Sequence, residues 1–214
     1  MEITHPEIEA YATKHSSPES HLLQQIREET YRERRMPHMC SGPLQGSFLK
    51  MISCMIRPAK ILEIGTFTGY SAICLAEGLV PEGRLITLEA NKELEERLRT
   101  YFSSSPFSSQ IELIMGEALP LLETLPNDFD LIFVDADKKN YLNYLHACLP
   151  KLKTGGYLVF DNMLWYGKIL QAEENMDRDT KIIHQVNREI SSHPSLVCSL
   201  VPLRDGLMMA RKIS

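Results

Sequence analysis

Several polar residues fall where short apolar runs stop. Glu89 closes Arg84-Leu85-Ile86-Thr87-Leu88, Asp135 follows Phe129–Val134, and Asp161-Asn162 follows Tyr157–Phe160. The last two groups supply two carboxylates and an amide oxygen. Hard oxygen donors of this kind suit Mg²⁺ or a similar divalent ion, with water and substrate oxygens completing the shell. No His or Cys stands at these positions, which disfavours zinc. Lys138 follows Asp135 by three residues and becomes a candidate general base if a cation binds Asp135. A plainer reading stays open at this point. Asp-x-Asp and Asp-Asn are common pairs, strand-end acids often cap the next helix, and a lone lysine is usually solvated.

A glycine turn precedes these groups. In Lys60-Ile61-Leu62-Glu63-Ile64-Gly65-Thr66-Phe67-Thr68-Gly69-Tyr70-Ser71 an apolar run ends at one glycine and a second follows four residues later. Without a Cβ, Gly65 can adopt unusual φ/ψ values and lie against a ligand. Glu63 stands inside the apolar run, where a carboxylate is costly unless it has a partner. The dinucleotide fingerprint G-x-G-x-x-G is absent, because Phe67 occupies the place of its middle glycine. That argues against a diphosphate and leaves room for a nucleoside without one, such as S-adenosylmethionine (SAM). Glu89, ending the next strand, is then placed to accept both ribose hydroxyls, as acids at that point of nucleotide folds do.

Strands and helices must alternate to deliver these residues. The pattern predicts a short helix over 7–14 and a longer one with Ser17 as N-cap and Pro18 in its first turn, running towards Arg35 and ended by Pro37. A loop at 39–46 leads into a helix whose Phe48, Leu49, Ile52 and Met55 are expected in the core. Five strands then end at Ile64, Glu89, Met115, Val134 and Phe160, with Gly155-Gly156 turning into the fifth. A charged amphipathic helix is expected over 93–102 with a solvated outer face, and another helix over 179–191. The segments 196–201 and 207–212 read as an antiparallel edge hairpin. The whole predicts one α/β domain, 1–214. Residues 1–36 form an N-terminal helical segment, and 37–214 a core around a mostly parallel sheet. Ligands of such sheets bind at the carboxyl ends of the strands.

Composition bounds the partners. The chain has 214 residues, 43% hydrophobic and 24% charged, with a net charge of −5, ordinary values for one globular domain. The acidic balance and the lack of a basic block lower the case for nucleic acid. Five scattered cysteines without a C-x-x-C pair suggest reduced, cytoplasmic usage. The N-terminus lacks a signal-peptide pattern and no apolar run reaches transmembrane length, so no membrane association is expected.

These residues together resemble the SAM- and divalent-cation-dependent O-methyltransferases, the family of the catechol and caffeoyl-CoA O-methyltransferases. The resemblance runs from about Met36 to the C-terminus. It rests on Ile61–Ser71, on Phe133-Val134-Asp135-Ala136-Asp137-Lys138-Lys139-Asn140-Tyr141, on Gly155-Gly156 with Asp161-Asn162, and on Leu203-Arg204-Asp205-Gly206. It implies a Rossmann-like fold with a seven-stranded sheet. It implies a cation (Mg²⁺, or Mn²⁺ or Ca²⁺) on Asp135, Asp161 and Asn162, and Lys138 as the base. It further implies SAM contacts from Glu63, Gly65, Ser71, Glu89, Ala118 and Asp135, with Met39 and Ser41 closing over the ligand. Asp137, Trp165, Tyr166 and Arg204 are implied at the acceptor pocket. The implied acceptor is a small catechol-type diol and the implied assembly a homodimer. The loop after Trp165 carries Glu173, Glu174, Asp177 and Asp179, which would disfavour an anionic acceptor such as a coenzyme A thioester if it faces the site. Rival readings are a nucleotide-dependent oxidoreductase, a SAM-binding module without catalysis, and a methyltransferase acting on a macromolecule.

Overall fold

The apolar run Lys60–Ile64 folds as β1, with every residue after Lys60 buried. The computed structural model describes residues 3–33 and 39–214. Seven strands make the expected mixed, mostly parallel sheet. The chain divides into two compact units, residues 7–118 and residues 119–214 together with the described residues before Glu7.

In the first unit β1 pairs in parallel with β2 (Arg84–Glu89), and β2 with β3 (Ile111–Met115). The short helix α1 (Pro6–Lys14) buries none of its residues. The next helix, α2 (His21–Glu33), starts later than Ser17 and Pro18 predict. Ser20 is the cap instead, its Oγ accepting the Leu23 N–H at 3.3 Å. The segment before it is held out of the helix by Glu19, which takes a bidentate pair from Arg27 and the Tyr70 hydroxyl at 2.7 Å. The expected stop at Pro37 lies outside the described residues.

Helix α3 (Gly42–Ile56) buries two of the four residues expected in the core, while Phe48 is half-buried. Leu49 and Ile52 are buried with Gln45, Gly46 and Ser53, whereas Met55 is 78% exposed. Small residues set this face. A Cβ on Gly46 would lie 2.5 Å from the Tyr70 ring of α4 (Tyr70–Ala76), and Ser53 Oγ donates to the Leu75 carbonyl at 2.5 Å. Close approach through Gly46 and Ser53 rotates Met51 and Met55 to the outside. Helix α5 (Glu95–Ser104) buries Leu98, Tyr101 and Phe102 beneath its charged face.

The second unit begins within α6 (Ala118–Thr124). Its strand β4 (Phe129–Val134) is buried throughout, as a parallel strand covered on both faces must be. After α7 (Tyr141–Cys148), β5 (Leu152–Phe160) pairs in parallel with β4. Gly155 and Gly156 lie within β5 rather than before it. Partners jump from Phe129↔Leu152 to Leu131↔Tyr157, a bulge that Gly155 accommodates at φ 87°. Helix α8 (Arg178–Ser192) is capped by Asp177, whose carboxylate accepts the Thr180 N–H at 2.8 Å and its hydroxyl at 2.6 Å. Strands β6 (Leu196–Val201) and β7 (Leu207–Lys212) form the expected antiparallel hairpin, with β7 paired to β5 and β6 outermost. All five cysteines are free thiols. Among the described residues no helix is long and apolar enough to cross a membrane.

Candidate active site

In the first unit the glycine turn is built by an exchange of polar contacts at the carboxyl ends of β1 and β2. Gly65 has φ 96°, and its N–H bonds the Leu88 carbonyl at 3.0 Å. Phe67 holds φ 48°, a region costly for a bulky residue. The Glu89 carboxylate offsets that strain by accepting the Phe67 N–H at 2.8 Å through Oε2, while Oε1 accepts the Asn91 N–H at 2.8 Å. A carboxylate has about four lone-pair positions, so both oxygens can still accept further donors. Gly69 caps α4 at φ 82° and faces Phe102, whose Cε1 would lie 2.9 Å from an added Cβ.

Glu63 is fully buried. Its Oε2 accepts the Thr87 hydroxyl at 2.5 Å, so Thr66, 2.5 Å from that hydroxyl, must be the donor to it. This Thr66–Thr87–Glu63 chain partners the carboxylate, as its position in a strand demanded. Neither threonine was singled out by its sequence position. Ser71 is buried in the first turn of α4, and Ser41 is buried at the N-terminal end of α3. Met39 is 48% exposed. Ala118 opens α6, just past Gly116, whose N–H bonds the Glu89 carbonyl at 2.8 Å.

In the second unit register brings the expected donors together. Val134 pairs with Phe160, and the Asp161 N–H bonds the Val134 carbonyl at 3.0 Å. Asp135 and Asp161 are therefore adjacent at the ends of neighbouring strands, a spacing of about 5 Å between backbones. Asp161 is buried, and its Oδ1 accepts the Asn162 N–H at 2.6 Å. Asn162 turns with φ 61°. Among the described residues no group of three His, Cys, Asp or Glu side chains could hold a metal ion. The third member of the expected set is an amide, and two carboxylates with one amide oxygen remain a fitting donor set for a hard cation.

Lys138 joins this group. Its Nζ donates to Asp135 Oδ1 at 3.1 Å, to the Ala136 carbonyl at 3.0 Å and to the Tyr141 hydroxyl at 2.6 Å. Three acceptors match the three donors of an ammonium. Tyr141 is fully buried. Its hydroxyl lies 3.1 Å from the Asp161 carbonyl, to which it donates, and its ring lies under Lys138 at 4.5 Å. Burial above all, then the charges of Asp135, Asp161 and Asp137, hold its phenol well above the ordinary range, so it stays a neutral donor. Tyr141 belongs to the motif quoted above, but nothing in the sequence marked its hydroxyl as the link between base and strand end.

The remaining residues are placed less uniformly. Asp137 is bonded by Tyr144 Oη at 2.6 Å and Asn140 Nδ2 at 2.7 Å. Trp165 and Tyr166 lie with ring centroids 5.5 Å apart. Asn162, Trp165, Tyr166 and Arg204 account for four of the seven non-glycine residues with positive φ among the described residues. Such clustering is typical of functional sites. In the acidic loop, Asp177 is committed to its helix cap and to Lys168 at 2.9 Å, whereas Glu173 and Glu174 are exposed.

Comparison with known proteins places this geometry. The O-methyltransferase family model matches residues 13–213. Caffeoyl-CoA O-methyltransferase 1 of Eucalyptus globulus is 32% identical over 82% of this chain and 76% of its own. The O-methyltransferase TomG of Streptomyces achromogenes, solved in complex with SAM, superposes with a TM-score of 0.89 at 25% identity over 97% of this chain and 96% of its own. An O-methyltransferase from Bacillus cereus in complex with SAH gives a TM-score of 0.86 at 27% identity over 96% and 97%. With its sheet, its glycine turn and its strand-end acids, this chain belongs to the SAM-dependent O-methyltransferase family.

Proposed function

We propose that the chain transfers the methyl group of SAM to one hydroxyl of a small vicinal diol of the catechol type, held by a divalent cation. The observation that carries this reading is the adjacency of Asp135 and Asp161 at paired strand ends, with Lys138 Nζ 3.1 Å from Asp135. Asp135, Asp161 and Asn162 would hold Mg²⁺, or Mn²⁺ or Ca²⁺ in its place. When bound, such a cation supplies Lewis-acid stabilisation of a phenolate.

The chain's own groups do the rest. Lys138 would take the proton of the reacting hydroxyl as the neutral amine, a form favoured if Asp135, here an acceptor of its Nζ, instead held the cation. Tyr141 keeps the amine at that point. Glu89 accepts the ribose hydroxyls while still holding the Phe67 turn. Glu63, Gly65, Ser71, Ala118 and Asp135 frame the rest of SAM, with Met39 and Ser41 over it. Asp137, Trp165, Tyr166 and Arg204 shape the acceptor pocket. The acceptor oxygen then attacks the methyl carbon in line as the carbon–sulfur bond breaks and its electron pair returns to sulfur, releasing S-adenosylhomocysteine, so catalysis is positioning and charge stabilisation. The chain acts as a single methyltransferase domain, a homodimer in the cytoplasm; the family match over 13–213 supports the first of these.

Labelled SAM offered with catechol and with a monophenol tests the acceptor class. Methylation of catechol alone is expected, and equal methylation of both would overturn chelation. Lys138→Met should lower kcat by about 10²–10⁴ with SAM affinity unchanged, and an unchanged kcat would remove the base.

A further inference from the structure

We propose that Glu19 is a positioning residue for SAM: through the Tyr70 hydroxyl it fixes the first turn of α4, so that Ser71 is presented to the ligand. This deepens the proposed SAM site at the glycine turn and rests on that reading. The turn needs support from outside itself. Between β1 and α4, Gly65, Phe67 and Gly69 have φ of 96°, 48° and 82°, values that neither strand nor helix propagates. The position of such a turn is set by what holds its two ends. Glu89 holds one of them from β2, through the Phe67 N–H at 2.8 Å.

Tyr70 holds the other. It stands between Gly69 and Ser71 and is 2% exposed. Its ring fills the space that a Cβ on Gly46 would take, 2.5 Å from Cε1 and 3.3 Å from the hydroxyl oxygen. The hydroxyl donates to Glu19 Oε1 at 2.7 Å. Burial above all holds this phenol well above the ordinary range, so Tyr70 is the donor and Glu19 the acceptor. Glu19 is fixed in its turn by Arg27, whose Nε lies 2.9 Å from Oε1 and 3.1 Å from Oε2, and whose Nη2 lies 2.9 Å from Oε2. A guanidinium fork of this kind sets the plane of a carboxylate as well as its place. Arg27, Glu19 and Tyr70 thus form a chain from α2 to the residue before Ser71.

Docking of α2 does not need this chain. Leu23 and Ile26 are buried beneath the helix. At its far end Glu29 accepts the Tyr101 hydroxyl and Glu33 pairs with Arg97 at 2.5 Å, both partners lying on α5. Of these three polar links, the one through Glu19 ends beside a proposed SAM contact. A role confined to holding the helix would be shared with the other two.

SAM affinity measured by calorimetry, without acceptor, tests this apart from turnover. Ser71→Ala is the control for the contact itself and should weaken SAM by about tenfold. An unchanged affinity there would sink the Ser71 reading, and this inference with it. Tyr70→Phe keeps the ring, removes the hydroxyl and should weaken SAM by about 3- to 10-fold. Glu19→Ala should match it, and the double variant should bind no more weakly than either single one, because both break one link. In a Ser71→Ala background Tyr70→Phe should cost nothing further. Arg97→Gln loosens the far end of α2; it should lower the denaturation midpoint and leave SAM affinity unchanged. An unchanged affinity in Tyr70→Phe would overturn the proposal outright. So would an equal loss with and without Ser71, or an equal loss from Arg97→Gln, since α2 would then only support the fold. If Tyr70→Phe does not fold, Glu19→Ala with and without Ser71 decides by the same outcomes.

Discussion

At the scale of single residues the site depends on charges that each hold two things. Glu89 carries the Phe67 and Asn91 N–H groups and, in the proposed complex, the ribose. Glu89→Gln keeps the shape but loses the charge. SAM affinity measured by calorimetry should fall by about 10- to 100-fold, from the difference between charged and neutral hydrogen bonds; an unchanged affinity would remove Glu89 from the donor site. Tyr141→Phe keeps the ring beneath Lys138 and removes the bond to the Asp161 carbonyl. We expect kcat to fall by roughly tenfold or more with little change in KM, and a change confined to KM would assign Tyr141 to acceptor binding. The acids at the strand ends were legible in the sequence because apolar runs stop at them. Tyr141 and the Thr66–Thr87 pair were not, since a hydroxyl in an apolar setting looks like core until its partners are known. Glu19 read as an ordinary first-turn helix acid. Its partner Tyr70 is 51 residues away in sequence, and no local pattern links them.

At the scale of elements, the fold was legible where one physical requirement dominated. β4 is buried on both faces and is therefore apolar throughout. The inward face of α3 was legible only in part, Leu49 and Ile52 but not Met55, because Gly46 and Ser53 bring its other side against its neighbour. The turn before α4 tests how strictly glycine is needed. Gly69→Ala combines φ 82° with a contact to Phe102, and the left-handed conformation alone costs about 1–2 kcal/mol. A lowered midpoint in denaturant is expected, and an unchanged one would contradict the geometry. The cap of α8 gives a pH dependence. Hydrogen bonds from the Thr180 hydroxyl first, then from Lys168, hold the Asp177 carboxyl well below the ordinary carboxylate range. A depressed folded value means that the cap stabilises fully above the unfolded value of about 3.9 and is lost as pH falls through the folded value. Asp177→Ala should therefore lower stability at neutral pH and flatten the acid limb of the stability profile. A parallel shift at all pH values would contradict the charged cap.

At the scale of the whole molecule the family assignment covers residues 13–213, and the proposed chemistry draws on a few strand ends. Thiol reactivity reports on this packing. Cys54 is exposed, whereas Cys148 is fully buried and burial pushes its thiol up to about 12. One fast modification at Cys54 is expected under native conditions, with Cys148 reacting only on unfolding; early labelling of Cys148 would contradict the core described above. The homodimer proposed from the family is tested by light scattering, with a mass twice that of the chain expected. The most direct test of the central claim is methyl transfer from labelled SAM to a panel of small catechols, with Mg²⁺ and with excess EDTA. We predict turnover that EDTA abolishes and added Mg²⁺ restores. Turnover indifferent to EDTA would contradict the site on Asp135, Asp161 and Asn162 while leaving the chain a methyltransferase.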